Sequence, residues 1–353
     1  MSLLAPDSPS MPSRAWHGIL CVELGMLFFV AQDAMMKEML NSYSIWMLIF
    51  VRALVSVCIL TPLVVLLGTP HRLLTPLWPL HLARAALFTI GFSMFYAAFP
   101  FMGLAEVTTI FFSAPLITAI MAALWLRETI GPHRIGALAV GFTGILIAMN
   151  PAGDNFSWIA ILPLSCAVSY AASQIIARKI GNRESTLTVG LHTLAFSGLM
   201  IMPMGWAFNR IITLGPGFEH LDWSLPFAPL ADWPALALLR FLGMGGYLFL
   251  SRAYQVANAS LVAPFDYSYL PFAALLAYAL WSEVPPANTV LGMALIVGSG
   301  LYLGYRELQT HRTEQDPAIV GEGVFTPGSP LPQQVPGSED DWWPPRDDRH
   351  STG

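Results

Sequence analysis

Residues 122–132 read AALWLRETIGP, and residues 277–286 repeat the pattern as AYALWSEVPP. Each stretch ends an apolar run, places an acidic residue directly after it (Glu128 or Glu283), and starts the next run at a proline. A membrane segment that occurs twice in one chain is typical of duplication, and duplicated halves are a common architecture of transporters. The pair therefore predicts a chain made of two related halves.

The composition indicates that these halves are embedded in a membrane. Hydrophobic residues make up 55% of the chain and charged residues 11%, whereas soluble domains have about 45–50% and about 25%. A membrane-spanning helix needs about 20 mostly apolar residues, and the chain contains ten such runs. We therefore predict an all-α integral membrane protein with ten transmembrane helices. The predicted spans are 17–37, 45–67, 80–101, 104–126, 132–149, 158–178, 187–207, 235–256, 260–281 and 287–304.

Basic residues predict how the spans are oriented. With a cytoplasmic N-terminus, nine basic residues border the cytoplasmic segments, while only Lys37 and Arg210 border the outer ones. This asymmetry satisfies the positive-inside rule and favours an inner (plasma) membrane with both termini in the cytoplasm. Because each half has five spans, an odd number, the second half must be inverted relative to the first.

The two halves are flanked by segments of a different composition. The predicted boundaries are a cytoplasmic N-terminus at 1–16, a first repeat at 17–149, a second repeat at 158–305, and a tail at 306–353. The tail has nine acidic and four basic residues and few aliphatic ones. It cannot bury enough apolar surface to fold, so we expect a disordered cytoplasmic tail.

Three long stretches resemble one known family. Residues 95–115 (FYAAFPFMGLAEVTTIFFSAP) and 124–147 (LWLRETIGPHRIGALAVGFTGILI) resemble the first repeat of the EamA-type drug/metabolite transporter superfamily, and residues 260–303 resemble the second. The resemblance implies transport of a small metabolite between two inverted repeats. Arg52 in the second predicted span and Arg84 at the start of the third resemble the pattern of one alphaproteobacterial branch of this superfamily. That branch includes riboflavin and S-adenosylmethionine uptake carriers. The superfamily also exports amino acids, metabolites and drugs, so substrate and direction stay open.

Asp266 is the first candidate for substrate contact, because an ionisable group inside a membrane is costly and usually faces a partner or a water-filled cavity. Tyr267 and Tyr269 lie beside it, and prolines flank the group. Asp266 could bind a cationic or hydrogen-bonding substrate group or carry a coupling proton, with the tyrosines stacking on the ligand. Alternatively, it is a fixed partner of Arg240 or Arg252.

Charged residues of the first half are further candidates. Asp33 and Lys37 are one helical turn apart, so a local ion pair is the favoured interpretation, with Asp33 as a secondary substrate ligand. Arg52 and Arg84 could bind a carboxylate or phosphate of a substrate. In the alternative interpretation, each guanidinium holds a carboxylate or a helix C-terminus of its own protein.

Uncharged candidates and the repeated acidic residues complete the predicted site. Tyr96 and Gln174 could line a pocket for a flat ligand, although packing is the commoner role of such side chains. Glu128 and Glu283 each precede a helix, where free N–H groups and the positive dipole end favour a carboxylate. We therefore interpret both as structural caps.

The sequence shows no pattern of a catalytic site. It has no phosphate-binding loop, no paired metal ligands and no nucleophile with a base at recognisable spacing, so we predict a non-enzyme without cofactor or metal, driven by something other than ATP. The expected partners are a small-molecule substrate and the lipid bilayer; nucleic acid is not expected, and a homodimer is left open. The rival interpretations are a non-transporting receptor or scaffold that uses the tail, and an intramembrane enzyme acting on lipid.

Overall fold

The computed structural model describes residues 11–68, 71–126, 131–151, 157–180, 184–213, 215, 217–223, 228–256 and 262–311. Within these residues the chain is entirely helical, with eleven α-helices, four short 3-10 helices and no strand. The α-helices are α1 (Met11–Met39), α2 (Ile45–Leu67), α3 (Trp78–Ala97), α4 (Leu104–Phe111), α5 (Ala114–Leu126), α6 (Pro132–Met149), α7 (Ile161–Ile180), α8 (Thr186–Ile211), α9 (Trp233–Val256), α10 (Tyr269–Trp281) and α11 (Ala287–His311).

Eight stretches are long and apolar enough to cross a membrane in the described part of the chain, and they correspond to the first eight predicted spans. The predicted ninth span, 260–281, is not one continuous α-helix, because its first part is the 3-10 helix Ala263–Ser268 and only Tyr269–Trp281 is α-helical. The tenth falls in α11, where Ala287–Leu303 is a shorter apolar helix. The membrane class is thus shown, while the count of ten spans stays a prediction.

Local sequence signals explain where several helices begin and end. The Ser44 and Ser185 side chains accept hydrogen bonds from backbone N–H groups in the first turns of α2 and α8, as N-cap residues do. At the other end of α6, Asn150 adopts the left-handed conformation (φ 46°) that closes a helix. The long apolar sequences therefore carry ordinary helix boundaries.

The most extensive helix contacts join the chain before residue 150 to the chain after residue 157. Helix α1 packs on α9, α3 on α7, α2 on α8, and α6 on α11. Contacts among α1–α6, and among α7–α11, are much smaller in the described residues. The two parts of the chain are therefore interleaved rather than placed side by side.

Glycine allows the close approach of α6 and α11. A Cβ atom added to Gly144 would lie 2.9 Å from the carbonyl oxygen of Gly292, and a Cβ added to Gly292 would lie 2.6 Å from the Cβ of Ala148. The two backbones therefore touch directly, as helices in membranes do where small residues face each other.

Candidate substrate-binding site

Asp33 is the centre of a hydrogen-bonded cluster inside the bundle. Its carboxylate is fully buried on α1 and accepts hydrogen bonds from the hydroxyl of Tyr269 on α10 at 2.7 Å and from that of Tyr96 on α3 at 3.2 Å. Buried charged groups persist when several donors satisfy them. Asp33 thus joins two helices of the first part of the chain to one of the second.

Arg52 extends this cluster to α2. Its Nη1 donates to the Tyr96 hydroxyl at 2.6 Å, and the guanidinium lies 5.3 Å from the centre of the Tyr96 ring. Because the Tyr96 hydroxyl in turn donates to Asp33, it stands between a cation and a carboxylate. We call Asp33, Arg52, Tyr96 and Tyr269 the Asp33 cluster; the structure brings these four predicted residues together.

The predicted ion pair between Asp33 and Lys37 is wrong. Lys37 Nζ instead lies 2.5 Å from Glu283 Oε1, donates to the carbonyl oxygen of Met102 at 3.3 Å, and sits 4.9 Å from the centre of the Trp281 ring. The physical reason is that the long lysine stem carries its charge toward the helix end, where a second carboxylate is available. Asp33, one turn deeper, is satisfied by the tyrosines.

Glu283 does bind a helix N-terminus, but not that of the helix that follows it in sequence. Its Oε2 accepts a hydrogen bond at 3.2 Å from the N–H of Leu104, the first residue of α4. The carboxylate thus neutralises Lys37 and satisfies an orphan donor of a helix from the first part of the chain. Its repeat counterpart Glu128 lies outside the described residues.

The predicted trio of Asp266, Tyr267 and Tyr269 is split by the 3-10 helix. Tyr269 points to Asp33, whereas Tyr267 points to α11, where its hydroxyl fills the space above Gly300. A 3-10 helix turns about 120° per residue, so side chains two positions apart diverge. Asp266 is fully buried on the 3-10 helix itself. Asp33 rather than Asp266 is the residue around which the described hydrogen bonds converge.

Arg84 lies at a different level from the Asp33 cluster. Arg84 is twelve positions before Tyr96 on α3, which is about 18 Å along the axis. It is buried, and its Nη1 donates to the Thr193 hydroxyl of α8 at 2.5 Å. Gln174 is half-buried on α7, and its Oε1 meets no hydrogen-bond donor within the described residues. Arg84 thus forms a second group, apart from the Asp33 cluster.

Aromatic side chains fill the space between these two groups. The Phe92 ring lies 4.5 Å from that of Phe88, 6.0 Å from that of Phe111 and 6.4 Å from that of Tyr170, measured between centroids. It is also 6.1 Å from Tyr96 of the Asp33 cluster. Such tilted and edge-on pairs are the arrangement that aromatic rings prefer. We call Phe88, Phe92, Phe111 and Tyr170 the aromatic column.

Two cavities lie at opposite ends of the bundle. One, of about 410 Å³, is lined by Lys37, Glu106, Trp281 and Glu283 among others. The other, of about 390 Å³, is lined by residues of α2, of α8 and of the segment before α3. We refer to these as the Lys37 end and the His192 end.

The His192 end is held by polar contacts of its own. His81 of α3 lies 2.6 Å from Glu184, which also accepts a hydrogen bond from Thr75. His192 stacks on His81, with 5.0 Å between ring centroids, and its Nε2 lies 3.1 Å from the carbonyl oxygen of Leu73. Each end of the bundle is therefore closed by contacts between the two parts of the chain.

Sequence reasoning gave too little weight to Arg240, which is buried on α9 near the Asp33 cluster. The sequence predicts for Arg240 only a pairing with Asp266. A usable signal was present, since residues 78–84 (WPLHLAR) and 233–240 (WPALALLR) each open a helix with Trp-Pro and place an arginine about two turns later. The two segments therefore resemble each other, although the arginine is six residues after the tryptophan in the first and seven in the second.

Comparison with known proteins agrees with this architecture. The sequence profile of the EamA-like transporter family matches the chain twice, over residues 16–150 and 157–304. A riboflavin transporter of Vibrio cholerae is 29% identical over 263 residues, which are 74% of this chain and 83% of the relative. An S-adenosylmethionine uptake transporter of Rickettsia felis is 27% identical over 80% of this chain and 91% of its own. A pseudopaline exporter of Pseudomonas aeruginosa is 25% identical over 79% and 93%.

A solved crystal structure is similar in fold alone. It is 16% identical in sequence and superimposes with a TM-score of 0.53 over 84% of this chain and 98% of that chain. The two profile matches together span far more than half of the residues, and the helices long enough to cross a membrane fall within them. The chain belongs to the EamA-like transporter family.

Proposed function

We propose that the protein is a secondary carrier that moves a small metabolite across the inner membrane by alternating access. The observation that carries this proposal is the Asp33 cluster, in which a buried carboxylate of α1 binds Tyr269 of α10 across the two parts of the chain. Buried ionisable groups between helices mark substrate or ion pathways in membrane proteins. No nucleotide-binding motif accompanies them in the sequence, so the driving force is a substrate or ion gradient.

An inverted pair of five-helix repeats is part of this proposal. When each helix is exchanged for its counterpart in the other half, α7 takes the place of α1 and α3 takes the place of α9. The contact of α1 with α9 then becomes that of α7 with α3, and both contacts are extensive. The contacts of α2 with α8 and of α6 with α11 map onto themselves under the same exchange. This pattern supports a pseudo-two-fold axis in the membrane plane.

The same exchange supports ten crossings. Helices α4 and α5 together make one crossing broken near Phe112, and the 3-10 helix Ala263–Ser268 with α10 makes its broken counterpart. Broken helices of this kind are tolerated where they line a protein interior. The proposed repeats are 17–149 and 158–305, between a cytoplasmic N-terminus at 1–16 and a cytoplasmic tail at 306–353. Homodimer formation stays a prediction.

Alternating access requires that the two ends open in turn. Both ends carry a cavity and polar contacts between the two parts of the chain, namely Lys37 with Glu283 at one end and His81 with Glu184 at the other. The Asp33 cluster and the aromatic column lie between them. In this proposal, breaking one set of contacts while keeping the other exposes the interior to one side of the membrane at a time.

The interior suggests the kind of substrate. Rings of the aromatic column can stack on a flat heteroaromatic group, and Asp33 with the two tyrosines and Arg52 can bind its polar edge. One relative is named a riboflavin transporter and another an S-adenosylmethionine uptake transporter, and both compounds contain such a ring. We propose uptake of a metabolite of this class. Export is the second candidate, because another relative is named as an exporter.

A counterflow experiment tests the proposal. The purified full chain is reconstituted in liposomes preloaded with unlabelled riboflavin or S-adenosylmethionine, and entry of the labelled compound is followed against protein-free liposomes and an Asp33→Asn variant. A carrier accumulates intact label transiently, and deletion of residues 312–353 leaves this unchanged. A chemically altered product indicates an enzyme instead. A receptor or scaffold accumulates no label, and the activity that it has in the cell is lost when the tail is deleted.

A further inference from the structure

Arg240 is a buried guanidinium that the Asp33 cluster does not include. Its side chain is 4% exposed on α9, and it makes no ion pair or hydrogen bond with any residue that the structure describes. Its Nε is among the buried nitrogens without an acceptor. A guanidinium always carries its charge and offers five donors, so this side chain has an unusually large unmet demand for acceptors.

The surroundings of Arg240 connect it to the Asp33 cluster. Gln32 Oε1 and Arg240 Nη1 both approach the side of Gly243 that lacks a Cβ atom. A Cβ added there would lie 3.5 Å from Arg240 Nη1. Gln32 also donates from its Nε2 to Asp33 at 3.3 Å, while its Oε1 is buried without a donor. Absence of a side chain at Gly243 therefore leaves room for these polar atoms.

The charges in this region do not balance. Arg240 reaches the cluster beside Gln32, which donates to Asp33, and Arg52 reaches it through Tyr96. The carboxylate of the cluster is that of Asp33, which already accepts hydrogen bonds from Tyr96, Tyr269 and Gln32. Among the residues of this region that the structure describes, two guanidinium groups against one carboxylate leave an excess positive charge. Burying a charge without a partner is strongly unfavourable, whereas a planar guanidinium binds a carboxylate or phosphate through two parallel hydrogen bonds.

We propose that Arg240 and Arg52 form an anion subsite of the substrate-binding site, so that the transported metabolite carries a carboxylate or a phosphate. This inference rests on the proposed transport function and narrows its substrate class to metabolites that carry a carboxylate or a phosphate group. The aromatic column receives the flat part of the molecule, and the two arginines receive its anionic group. In the unliganded protein the charge of Arg240 is then uncompensated, which lowers the stability of that state. When the ligand binds, its anionic group pairs with Arg240.

The first test needs no ligand. We expect the unliganded Arg240→Gln and Arg240→Met variants to have a Tm in detergent equal to or above that of the native protein, because each removes an uncompensated charge. The matched comparison is Arg84→Gln, since Arg84 is equally buried but hydrogen-bonded to Thr193, and it should lower the Tm. If both Arg240 variants lower the Tm as much as Arg84→Gln does, Arg240 is a structural residue and the proposal fails.

The second test uses pairs of compounds that differ by one anionic group. Flavin mononucleotide is compared with riboflavin for the phosphate, and S-adenosylmethionine with its decarboxylated analogue for the carboxylate, by ligand-induced Tm shift in the full chain. We expect the anionic member of at least one pair to bind about tenfold or more tightly, as charge-assisted hydrogen bonds provide. The pair that shows the preference identifies which anion is recognised.

Variants decide whether this preference comes from the two arginines. Arg240→Gln and Arg52→Gln should abolish it, and the exposed Arg210→Gln should keep it. Equal binding of both members of each pair, or a preference that survives both arginine variants, overturns the anion subsite. Counterflow of neutral riboflavin without any preference leaves the carrier proposal intact while refuting this one. An arginine-dependent anion preference without any transport refutes the carrier proposal alone.

Discussion

The carboxylate of Asp33 on α1 accepts a hydrogen bond of 2.7 Å from the hydroxyl of Tyr269 on α10, although the two residues are 236 positions apart in sequence. Both side chains are fully buried. This hydrogen bond depends on the relative position of the two parts of the chain, and it lies where a substrate is proposed to bind. Movement of α10 against α1 must therefore change what surrounds Asp33.

Removing this contact should impair transport. We expect Asp33→Asn to reduce the initial rate of counterflow about tenfold or more, because hydrogen bonds to a buried charged group are worth about 1.5–3 kcal/mol. Tyr269→Phe removes one donor and should have a smaller effect in the same direction. Rates are normalised to the amount of reconstituted protein. Native rates in both variants would show that the cluster has no part in the pathway.

The contact between Lys37 and Glu283 should stabilise the closed Lys37 end. Glu283→Gln and Lys37→Met are each expected to lower stability, because each removes one charge of the pair and leaves the other without its partner. The pair itself, being only partly exposed, should show a coupling of about 1 kcal/mol in a double-mutant cycle. Unfolding in a denaturing detergent measures it. Strictly additive single effects would contradict a direct pairing.

Close packing of α6 and α11 predicts a sharp difference between two glycines of the same helix. Gly292→Ala should destabilise the protein by about 1–3 kcal/mol, since the new methyl group overlaps the backbone of α6. Gly298→Ala is the matched control, because nothing lies within 4 Å of its added Cβ. Alanine is the better helix former, so this variant should be neutral or slightly stabilising. Equal Tm values for the two variants would contradict the described packing.

His220, in the segment between α8 and α9, predicts a loss of stability in acid. Burial lowers the pKa of its imidazole, while the hydrogen bond to the Ala97 carbonyl and the charge of Glu219 act in the opposite direction. The folded protein therefore keeps this group neutral, while the unfolded chain takes up a proton below about pH 6.5. Stability should fall as the pH drops from about 6.5 through the lowered pKa of the folded protein. Above about pH 6.5 this group should not change the stability.

The matched variant is His220→Gln, whose side chain does not titrate and can still donate to the carbonyl oxygen of Ala97, which lies 3.2 Å from the native Nε2. Comparing Tm at about pH 7.5 and about pH 5.5 should show a smaller decrease in the variant than in the native protein. An identical decrease in both would mean that another group is responsible.

The sequence was sufficient for the family, the membrane class and four residues that the fold brings together. Asp33, Arg52, Tyr96 and Tyr269 were identifiable because polar groups inside apolar helices are rare and conspicuous. Their role in substrate binding stays a prediction, as do the roles proposed for Asp266, Tyr267, Arg84 and Gln174.

What the sequence could not give is the partner of each side chain. The spacing of Asp33 and Lys37 favoured a local pair, but tertiary contacts brought Glu283 to Lys37 from near the other end of the chain. Likewise, the spacing rule for caps considers only the following helix, whereas Glu283 binds the start of α4. Such pairings depend on how α1, α4 and α10 pack, which local periodicity does not encode.

The interleaved packing of the helices also has a consequence for biosynthesis. Helices α1–α6 emerge from the ribosome first, yet their largest contact surfaces belong to α7–α11. Until α8 and α10 are made, the nascent first half therefore lacks Thr193, a partner of Arg84, and Tyr269, one of the partners of Asp33. Maturation of this protein is in effect an assembly reaction between two halves. We therefore expect the separately expressed halves 1–152 and 153–353 to give a folded protein only when both are present.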